Sequence, residues 1–269
     1  MPELPEVETV KNTLKNIVIG KKIIASNIYW DNIIAYPKPK EFKQKIKNQT
    51  INDVKRRGKW LMFELDDYFL LSHLRMEGKY FFKHEKDPLN KHEHVTFTFS
   101  DGTELRYHDT RKFGKMYLLD KENINNVKPL SDLGLEPWDE KLTPNYLKSK
   151  FKNKPVKTEL LDQSIIVGIG NIYADEILFL SKINPEEIAS NLSTVKLKRI
   201  IENTKKVLET AINYGGTTIK SYESSEGVHG RFQSKLLVHT KETCPKCGTK
   251  ISKIVVGGRS TYFCPKCQK

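Results

Sequence analysis

The chain has 269 residues, of which 38% are hydrophobic and 29% charged, a composition typical of folded proteins and a length that favours two domains over one. Lysine and arginine outnumber aspartate and glutamate by 46 to 33, giving a formal net charge of +13. This excess points to a polyanionic partner, although a solvated lysine-rich surface would give the same count. There is no apolar stretch long enough to span a membrane, and the first residues are acidic where a signal peptide is basic, so membrane and exported proteins are not expected.

An amphipathic helix is the first predicted element. Val7, Val10, Leu14 and Ile17 recur at helical spacing, and Gly20 follows as a stop signal. The chain is therefore expected to open with a helix that buries this apolar stripe.

From residue 22 to about residue 120 the pattern changes to short apolar runs with alternation. Val95, Phe97 and Phe99 alternate with polar residues and precede Asp101-Gly102, which is a typical hairpin turn. Several such runs in succession predict a two-layer β-sandwich, with the first helix packed against it.

The second half of the chain is predicted to be helical. Thr143-Pro144 reads as a cap and first helical residue, and Ser193 begins a long helix that ends at Gly215-Gly216. The stretch 217–233 lacks a period and is expected to be a mobile loop. The fold class is therefore α+β.

Composition shifts divide this α+β chain further. The predicted domains are a β-sandwich domain with the N-terminal helix (1–130), a linker rich in proline, glycine and acidic residues (131–142), a helical domain (143–237) and a closing cysteine module (238–269).

All four cysteines lie in two Cys-x-x-Cys pairs, Cys244 with Cys247 and Cys264 with Cys267. This spacing fits two knuckles that close a tetrahedral thiolate site around one zinc ion. Because protein ligands fill all four positions, the metal is expected to be structural. Disulfides are the alternative, and a reducing cytoplasm disfavours them.

The N-terminus offers a possible nucleophile. Removal of Met1 would expose the secondary amine of Pro2, with a pKa of about 8, and such an amine can attack a sugar carbon to form an iminium. Glu3 and Glu6 lie beside it and can exchange protons with a bound sugar. On this fragment alone a structural interpretation is preferred, in which Pro2 and Pro5 stiffen the start and the glutamates favour the helix dipole.

Further motifs favour the catalytic interpretation of the N-terminus over the structural one. They are PELPEVET at 2–9, RRGK at 56–59, HLRM at 73–76, KHEH at 91–94, RYHDTRKFG at 106–114, GIGNIYADE at 168–176 and the cysteine module with Arg259. In this order along the whole chain, they resemble the blocks of the bacterial formamidopyrimidine-DNA glycosylases, within the formamidopyrimidine/endonuclease VIII family. The resemblance implies that the helical domain is a helix-two-turn-helix domain and that the cysteine module is a β-hairpin zinc finger.

The resemblance also implies catalytic roles. Pro2 matches the nucleophile that attacks the sugar carbon bearing the damaged base, and Glu3 matches the acid that protonates the sugar ring oxygen. Glu6 helps to shape the same proton path, and Lys59 contacts phosphate and assists elimination. Arg259, at a predicted hairpin tip, is assigned both to this catalytic group and to phosphate binding, whereas from its position alone it is equally well a solvated side chain.

DNA-binding roles follow from the same resemblance. Met76, Arg111 and Phe113 match the side chains that fill the gap left by a flipped base, a task that suits a thioether, a guanidinium and a phenyl ring. Without the resemblance, Met76 and Phe113 would be read as core residues. The phosphate contacts that the resemblance implies are His92, Lys112, Lys157, Asn171 and Arg259.

The turn Gly168-Ile169-Gly170 enters the predicted helix at Asn171, and glycine-rich turns of this kind present backbone N–H groups to a phosphate. Two segments depart from the family pattern: Leu135 stands where proline is usual, and residues 238–240 (VHT) replace an aromatic strand. The stretch 217–233 corresponds to the family's lesion-reading loop.

The predicted function is that of a bifunctional DNA glycosylase and apurinic or apyrimidinic site lyase of base excision repair. Its expected substrates are 8-oxoguanine opposite cytosine and formamidopyrimidines in double-stranded DNA, removed through a Pro2 Schiff base and β,δ-elimination. We expect one structural zinc, a monomer and a bacterial cytoplasmic, nucleoid-associated location.

Two alternatives to this function remain open. An endonuclease VIII type would prefer oxidised pyrimidines, and Leu4, where that type tends to have glycine, favours the purine enzyme. A non-catalytic zinc-ribbon DNA-binding protein is the other alternative, against which Pro2, Glu3 and Lys59 together speak.

Overall fold

The computed structural model describes residues 1–217 and 230–269. The described residues divide into two compact units. The first includes Met1–Pro2 and Glu6–Ser131, and the second includes Glu3–Pro5, Asp132–Thr217 and Arg231–Lys269. The expected lesion-reading loop lies largely outside the described residues.

Regular elements follow the predicted sequence of an opening helix, a run of strands and a helical region, and a β-hairpin comes last. The helices are α1 (Leu4–Val18), α2 (Pro39–Ile46), α3 (Pro144–Lys150), α4 (Val156–Leu160), α5 (Asn171–Ser181) and α6 (Thr194–Asn213). The strands are β1 (Ile23–Ile28), β2 (Ile34–Tyr36), β3 (Asp53–Arg57), β4 (Trp60–Glu64), β5 (Tyr68–His73), β6 (Lys79–His84), β7 (Glu93–Phe99), β8 (Thr103–His108), β9 (Lys115–Asp120), β10 (Ser252–Val256) and β11 (Arg259–Phe263). Short 3₁₀ turns lie between them.

The first unit is the predicted β-sandwich. One sheet has the order β1-β7-β8-β6 and the other β2-β9-β5-β4-β3. The predicted hairpin is confirmed, because β7 and β8 pair antiparallel and Gly102 adopts a φ of 78° in the turn between them. A single core joins side chains of both sheets with the apolar stripe of α1, including Val7, Val10 and Leu14. The packed N-terminal helix is therefore also confirmed.

The second unit is built around α5 and α6. Ser193 caps α6 and Thr143 caps α3, each through its side-chain oxygen, as predicted. Leu4 is fully buried and belongs to this helical core. Tyr173 and Phe232 add a tilted ring pair with centroids 5.7 Å apart.

One element of the first unit was not predicted. Helix α2 lies between β2 and β3, in a stretch that the alternation pattern assigned to strands, and it starts with Pro39 at its first position. It buries Phe42 and Ile46 in the sandwich core. Within the described residues, none of the helices combines the length and the apolar character needed to cross a bilayer.

Candidate functional site

The four cysteines come together in the second unit. Their sulfur atoms all lie within 4.8 Å of one another, with Cys244 and Cys267 at 3.9 Å and Cys247 and Cys264 at 3.5 Å. Tetrahedral zinc holds thiolates about 2.3 Å from the ion, which places them about 3.8 Å apart. The cluster therefore fits one structural zinc ion with four protein ligands, and this prediction is confirmed.

Strands β10 and β11 form a hairpin between the two cysteine pairs. Gly257 and Gly258 have φ values of 55° and 75°, which a two-residue hairpin turn of the primed type requires. A Cβ atom on Gly257 would lie 2.7 Å from the hydroxyl of Thr158, so glycine also permits the close approach of α4. This geometry presents Arg259 as an exposed side chain at the start of β11.

Lys157 does not lie where a phosphate contact requires it. Its side chain is 0% exposed, and its ammonium is 2.7 Å from a carboxylate oxygen of Asp175. It also donates to the hydroxyl of Thr261 at 2.8 Å and the carbonyl of Ser260 at 3.1 Å. Burial lowers the pKa of Lys157, while Asp175 opposes that shift. We correct the expectation accordingly: Lys157 fastens β11 to the helical core and, through it, supports Arg259.

Asn171 shares this connection. Its side-chain amide donates to the carbonyl of Ser260 at 2.9 Å, so the first residue of α5 contacts the residue next to Arg259. Asn171 is thereby tied to the strand that carries Arg259.

Glu3 caps helix α5. Its carboxylate accepts backbone N–H groups of Gly170 at 2.7 Å, Ile172 at 2.9 Å and Tyr173 at 3.3 Å. The helix N-terminus favours a negative charge at this place. The expectation that the glycine turn offers N–H groups to a phosphate is therefore wrong for Gly170, whose N–H group is engaged by Glu3.

Close packing explains why residues 168 and 170 of this turn are glycines. A Cβ atom on Gly170 would lie 2.3 Å from the carboxyl carbon of Glu3, and one on Gly168 would lie 2.4 Å from Leu4. Gly168 also has a φ of 91°, and its carbonyl accepts the N–H group of Leu4 at 3.0 Å. The two glycines thus make room for residues 3 and 4 and set the position of Glu3.

Pro2 and Lys59 belong to the first unit, and both are buried. Met1 precedes Pro2 here, so the proline nitrogen is an amide, which is not nucleophilic until Met1 is removed. Glu6 is buried in the first turn of α1. Burial of these polar residues fits a site that excludes water.

Arg56 positions the turn that carries Lys59. It donates to the carboxylate of Glu8 in α1 at 2.7 Å and to the carbonyl of Gly58 at 3.0 Å. Burial would raise the pKa of Glu8, but bonds from Lys11 and Arg56 outweigh it and hold that pKa below its usual value. The motif RRGK therefore contains a structural arginine and, two residues beyond the second arginine, the predicted site lysine.

Asp109 organises the loop that carries Arg111, Lys112 and Phe113. Its buried carboxylate accepts the N–H groups of Arg111 at 3.0 Å, Phe113 at 2.9 Å and Gly114 at 2.8 Å. An aspartate bonded to backbone N–H groups a few residues ahead stabilises a turn. The sequence motif contained Asp109, but no role was inferred for it.

This loop exposes an aromatic ring. Phe113 is 49% exposed, and the guanidinium of Arg111 lies 4.8 Å from its ring centroid. Phe113 is thus not a core residue, which removes the structural alternative for it. Lys112 has a φ of 57° and stacks its ammonium 4.0 Å from the ring centroid of Trp30.

The other predicted gap-filling residue, Met76, is half-buried in the turn that follows β5. His73 braces this turn, because its Nδ1 accepts the N–H group of Arg75 at 3.0 Å while Arg75 adopts a φ of 54°. Burial, together with the charges of Arg75 and Lys59, lowers the pKa of His73 to about 3. The ring is therefore neutral and accepts a hydrogen bond at Nδ1.

The pH dependence of stability should reveal this buried ring. The pKa of folded His73 lies below the unfolded value of about 6.5, so below that pH the unfolded chain gains a proton that the folded chain does not. Stability is lost as pH falls from 6.5 towards the folded pKa. His73→Gln should reduce the slope of unfolding free energy against pH by roughly 1 kcal/mol per pH unit, measured by urea unfolding between pH 4 and 6.5. Measurement at pH 8 isolates the packing cost, and equal slopes would contradict the assignment.

His239 lies in the segment that departs from the family pattern. Its Nδ1 is 2.7 Å from Asp175, and its ring packs edge-on against Tyr262 with centroids 5.0 Å apart. The carboxylate of Glu176 accepts the backbone N–H groups of residues 237–239. Burial raises the pKa of Glu176, against the effect of these bonds. The motif ending in Asp175-Glu176 therefore anchors the segment that leads into the zinc finger.

Three family models match successive parts of the chain. The formamidopyrimidine-DNA glycosylase N-terminal domain matches residues 1–116, the formamidopyrimidine-DNA glycosylase H2TH domain matches residues 133–223, and the zinc finger found in FPG and IleRS matches residues 241–269.

Curated relatives match over the full length. Formamidopyrimidine-DNA glycosylase of Bacillus subtilis (strain 168) is 50% identical over 273 residues, covering 100% of this chain and 99% of that protein. The Bacillus cereus (strain ATCC 10987) protein of the same name is 49% identical over 279 residues, with the same coverage.

Solved structures agree with the fold. The Lactococcus lactis Fpg in complex with DNA containing an abasic site is 38% identical, with a TM-score of 0.91 and 99% of each chain covered. The complex of wild-type L. lactis Fpg (MutM) with DNA containing N7-benzyl-Fapy-dG has the same identity and TM-score and covers 100% of each chain.

A β-sandwich, a helix-two-turn-helix domain and a four-cysteine zinc finger define this chain as a DNA glycosylase of base excision repair. It belongs to the formamidopyrimidine-DNA glycosylase family. The family resemblance read from the motifs is confirmed.

Proposed function

We propose that the protein removes oxidised purines, chiefly 8-oxoguanine opposite cytosine and formamidopyrimidines, and then cleaves the strand at the resulting abasic site. One observation carries the proposal above the others. The N–H groups of Gly170, Ile172 and Tyr173 hold the Glu3 carboxylate, and Glu3 immediately follows the predicted nucleophile Pro2. These bonds fix the position of the carboxylate that we propose as the acid, directly after the proposed nucleophile.

The proposed reaction begins once Met1 is removed. The Pro2 nitrogen attacks C1′ of the damaged nucleotide, Glu3 serves the ring oxygen as acid, and the C1′–N bond to the base breaks. Opening of the sugar gives an iminium between Pro2 and C1′. That cation acidifies C2′, so loss of a proton expels the 3′ phosphate, and a second elimination expels the 5′ phosphate. Lys59 contacts phosphate and assists these eliminations.

The proposed DNA surface of the first unit is the set of Met76, His92, Arg111, Lys112 and Phe113. The exposed side chains of Arg111 and Phe113 suit a DNA duplex whose target base has been flipped out. The phenyl ring can stack on neighbouring bases, and the guanidinium can donate hydrogen bonds to base edges. In the second unit, Asn171 and Arg259 are the proposed phosphate contacts. Phosphate contacts position the enzyme without specifying sequence.

Duplex DNA is the proposed partner, in keeping with the net charge of +13 and with the lesion-containing DNA in the Lactococcus lactis complexes. We propose that the protein acts as a monomer in the bacterial cytoplasm, on nucleoid DNA.

Arg111 is proposed to read the cytosine left without its partner. Arg111→Ala should reduce the preference for cytosine over adenine opposite 8-oxoguanine by about tenfold, because one good side-chain contact to a base supplies roughly 1–3 kcal/mol of discrimination. The measurement is single-turnover excision from the two duplexes. Lys112→Ala, next to it on the same loop, is the matched control and should weaken both substrates equally. An unchanged ratio in Arg111→Ala would remove this role.

A strand-nicking assay tests the proposed function as a whole. Met1-processed protein should nick duplex carrying 8-oxoguanine opposite cytosine and leave a one-nucleoside gap flanked by phosphates. Preference for a duplex carrying an oxidised pyrimidine would support the endonuclease VIII alternative. Tight binding without any nicking would support a non-catalytic DNA-binding protein.

A further inference from the structure

Arg106 is a buried cation with no role in the chemistry described so far. It lies on β8, and its side chain is 2% exposed. Burying a guanidinium is costly unless each of its N–H groups finds an acceptor. Nearby carboxylate and carbonyl oxygens accept the N–H groups of Arg106, and most of these acceptors belong to one stretch of the chain.

That stretch is residues 84–93, which connects β6 to β7 and is termed the 84–93 segment below. Arg106 donates to its backbone carbonyls at His84 (3.0 Å), Asp87 (2.9 Å) and Pro88 (3.2 Å). It also pairs with the carboxylate of Glu93 at 3.1 Å. Residues 85–92 have no regular secondary structure, so the Arg106 contacts hold them together with local turn bonds, such as the one from the His84 N–H group to the Asp87 carboxylate at 2.8 Å.

Glu93 closes the segment from its other end. Its carboxylate accepts the N–H group of Asn90 at 2.9 Å and the ammonium of Lys83 at 2.6 Å. Because Arg106 and Glu93 also bond to each other, a buried ion pair lies between the residues that hold the two ends of the segment. Glu104 completes the coordination by accepting Nε of Arg106 at 2.7 Å, and it lies on β8, outside the segment.

The 84–93 segment ends in proposed DNA-facing residues. It exposes Lys91 and half-buries His92, whose carbonyl accepts the N–H group of Asp109 at 2.9 Å. Asp109 in turn holds the loop of Arg111 and Phe113. Arg106 lies on β8 and Asp109 directly follows that strand, so the guanidinium of Arg106 shapes one loop and the carboxylate of Asp109 shapes the other.

We propose that Arg106 is a positioning residue for DNA binding, which sets the 84–93 segment in the conformation that presents His92 to a phosphate. This inference rests on the proposed function. Arg106 does not touch DNA. Its loss should therefore weaken substrate capture while leaving the chemical step intact.

Arg106→Lys tests the proposal, because lysine keeps the charge but cannot reach several carbonyls at once. On lesion duplex, KM should rise by about five- to tenfold with kcat changed less than about twofold. Trypsin should cleave the folded variant after Lys86 and Lys91 faster than it cleaves the wild type. Arg199→Lys, the same substitution on α6 in the second unit, is the matched control, and it should change neither KM nor this cleavage.

A double-variant cycle separates positioning from general destabilisation. If Arg106 acts through His92, adding His92→Ala to Arg106→Lys should raise KM no further than the larger single effect. Additive effects on KM, or trypsin cleavage equal to that of the wild type, would overturn the proposal. If Arg106→Lys does not fold, Glu93→Gln applies the same tests to the other half of the ion pair. Absence of nicking by the wild type would instead refute the proposed function. The trypsin comparison would still test whether Arg106 sets the conformation of the 84–93 segment.

Discussion

Borohydride is expected to trap a covalent adduct between the Met1-processed protein and duplex carrying 8-oxoguanine opposite cytosine, and the modified peptide should begin at Pro2. A secondary amine that attacks C1′ gives an iminium, which borohydride reduces to a stable amine. Mass spectrometry of the digested adduct locates the attachment. Mapping to a lysine such as Lys59, or no adduct despite base removal, would contradict the mechanism.

The matched control is the same chain with an uncleaved residue before Pro2, whose nitrogen is then an amide. It should bind the duplex but form no adduct, and its excision rate should fall by about three orders of magnitude or more, as expected for loss of a covalent nucleophile. Glu3→Gln should also slow base removal strongly, yet it should process a ready-made abasic site, for which base departure is already complete. Because Gln has only one acceptor oxygen for the N–H groups of Gly170, Ile172 and Tyr173, its thermal stability needs to be measured beside its activity.

Loss of the zinc ion is expected to abolish tight DNA binding. Cys247→Ser should reduce bound metal from one ion per chain to none, since zinc binding supplies much of the folding free energy of such small modules. Without the ion the β10–β11 hairpin loses its support, and Arg259 loses its fixed position, so affinity for duplex should fall at least about tenfold. Metal analysis and fluorescence anisotropy with labelled duplex measure the two effects.

Val255→Ser is the control for this change, because Val255 lies on β10 and is 71% exposed. It should retain both zinc and affinity. The β-sandwich core includes none of the cysteines, so its unfolding should be unaltered in Cys247→Ser. Duplex affinity equal to that of the wild type in a metal-free variant would show that the finger is not needed for binding.

Local signals predicted much of the fold. The caps at Thr143 and Ser193, the hairpin at Asp101-Gly102 and the glycine pair before Arg259 each depend on residues a few positions apart, and each is present. Helix α2 was missed because its stretch was assigned to strands with the rest of residues 22–120, and its stability comes from burying Phe42 and Ile46 in the sandwich.

The site was predicted less completely, because its decisive contacts join residues far apart in the chain. Glu3 bonds to Gly170 across 167 positions, and no periodicity reports such a pair. Lys157 looks like any surface lysine until its burial beside Asp175 is known. For Asp109 a signal did exist, since an aspartate before a turn often bonds to the backbone ahead of it. The sequence did not indicate the role of Arg106, because its partners are mostly backbone carbonyls, which every residue has.

Residues 3–5 belong to the second unit although they precede residues 6–131 of the first unit in the chain. Leu4 fills that unit's core and Glu3 caps its helix α5, so neither can take its place until the residues of the helical core have been synthesised. A clone that begins at the linker would therefore encode a helical domain with a hole in its core and an uncapped helix. The domain boundary in the gene and the domain boundary in the folded protein do not coincide.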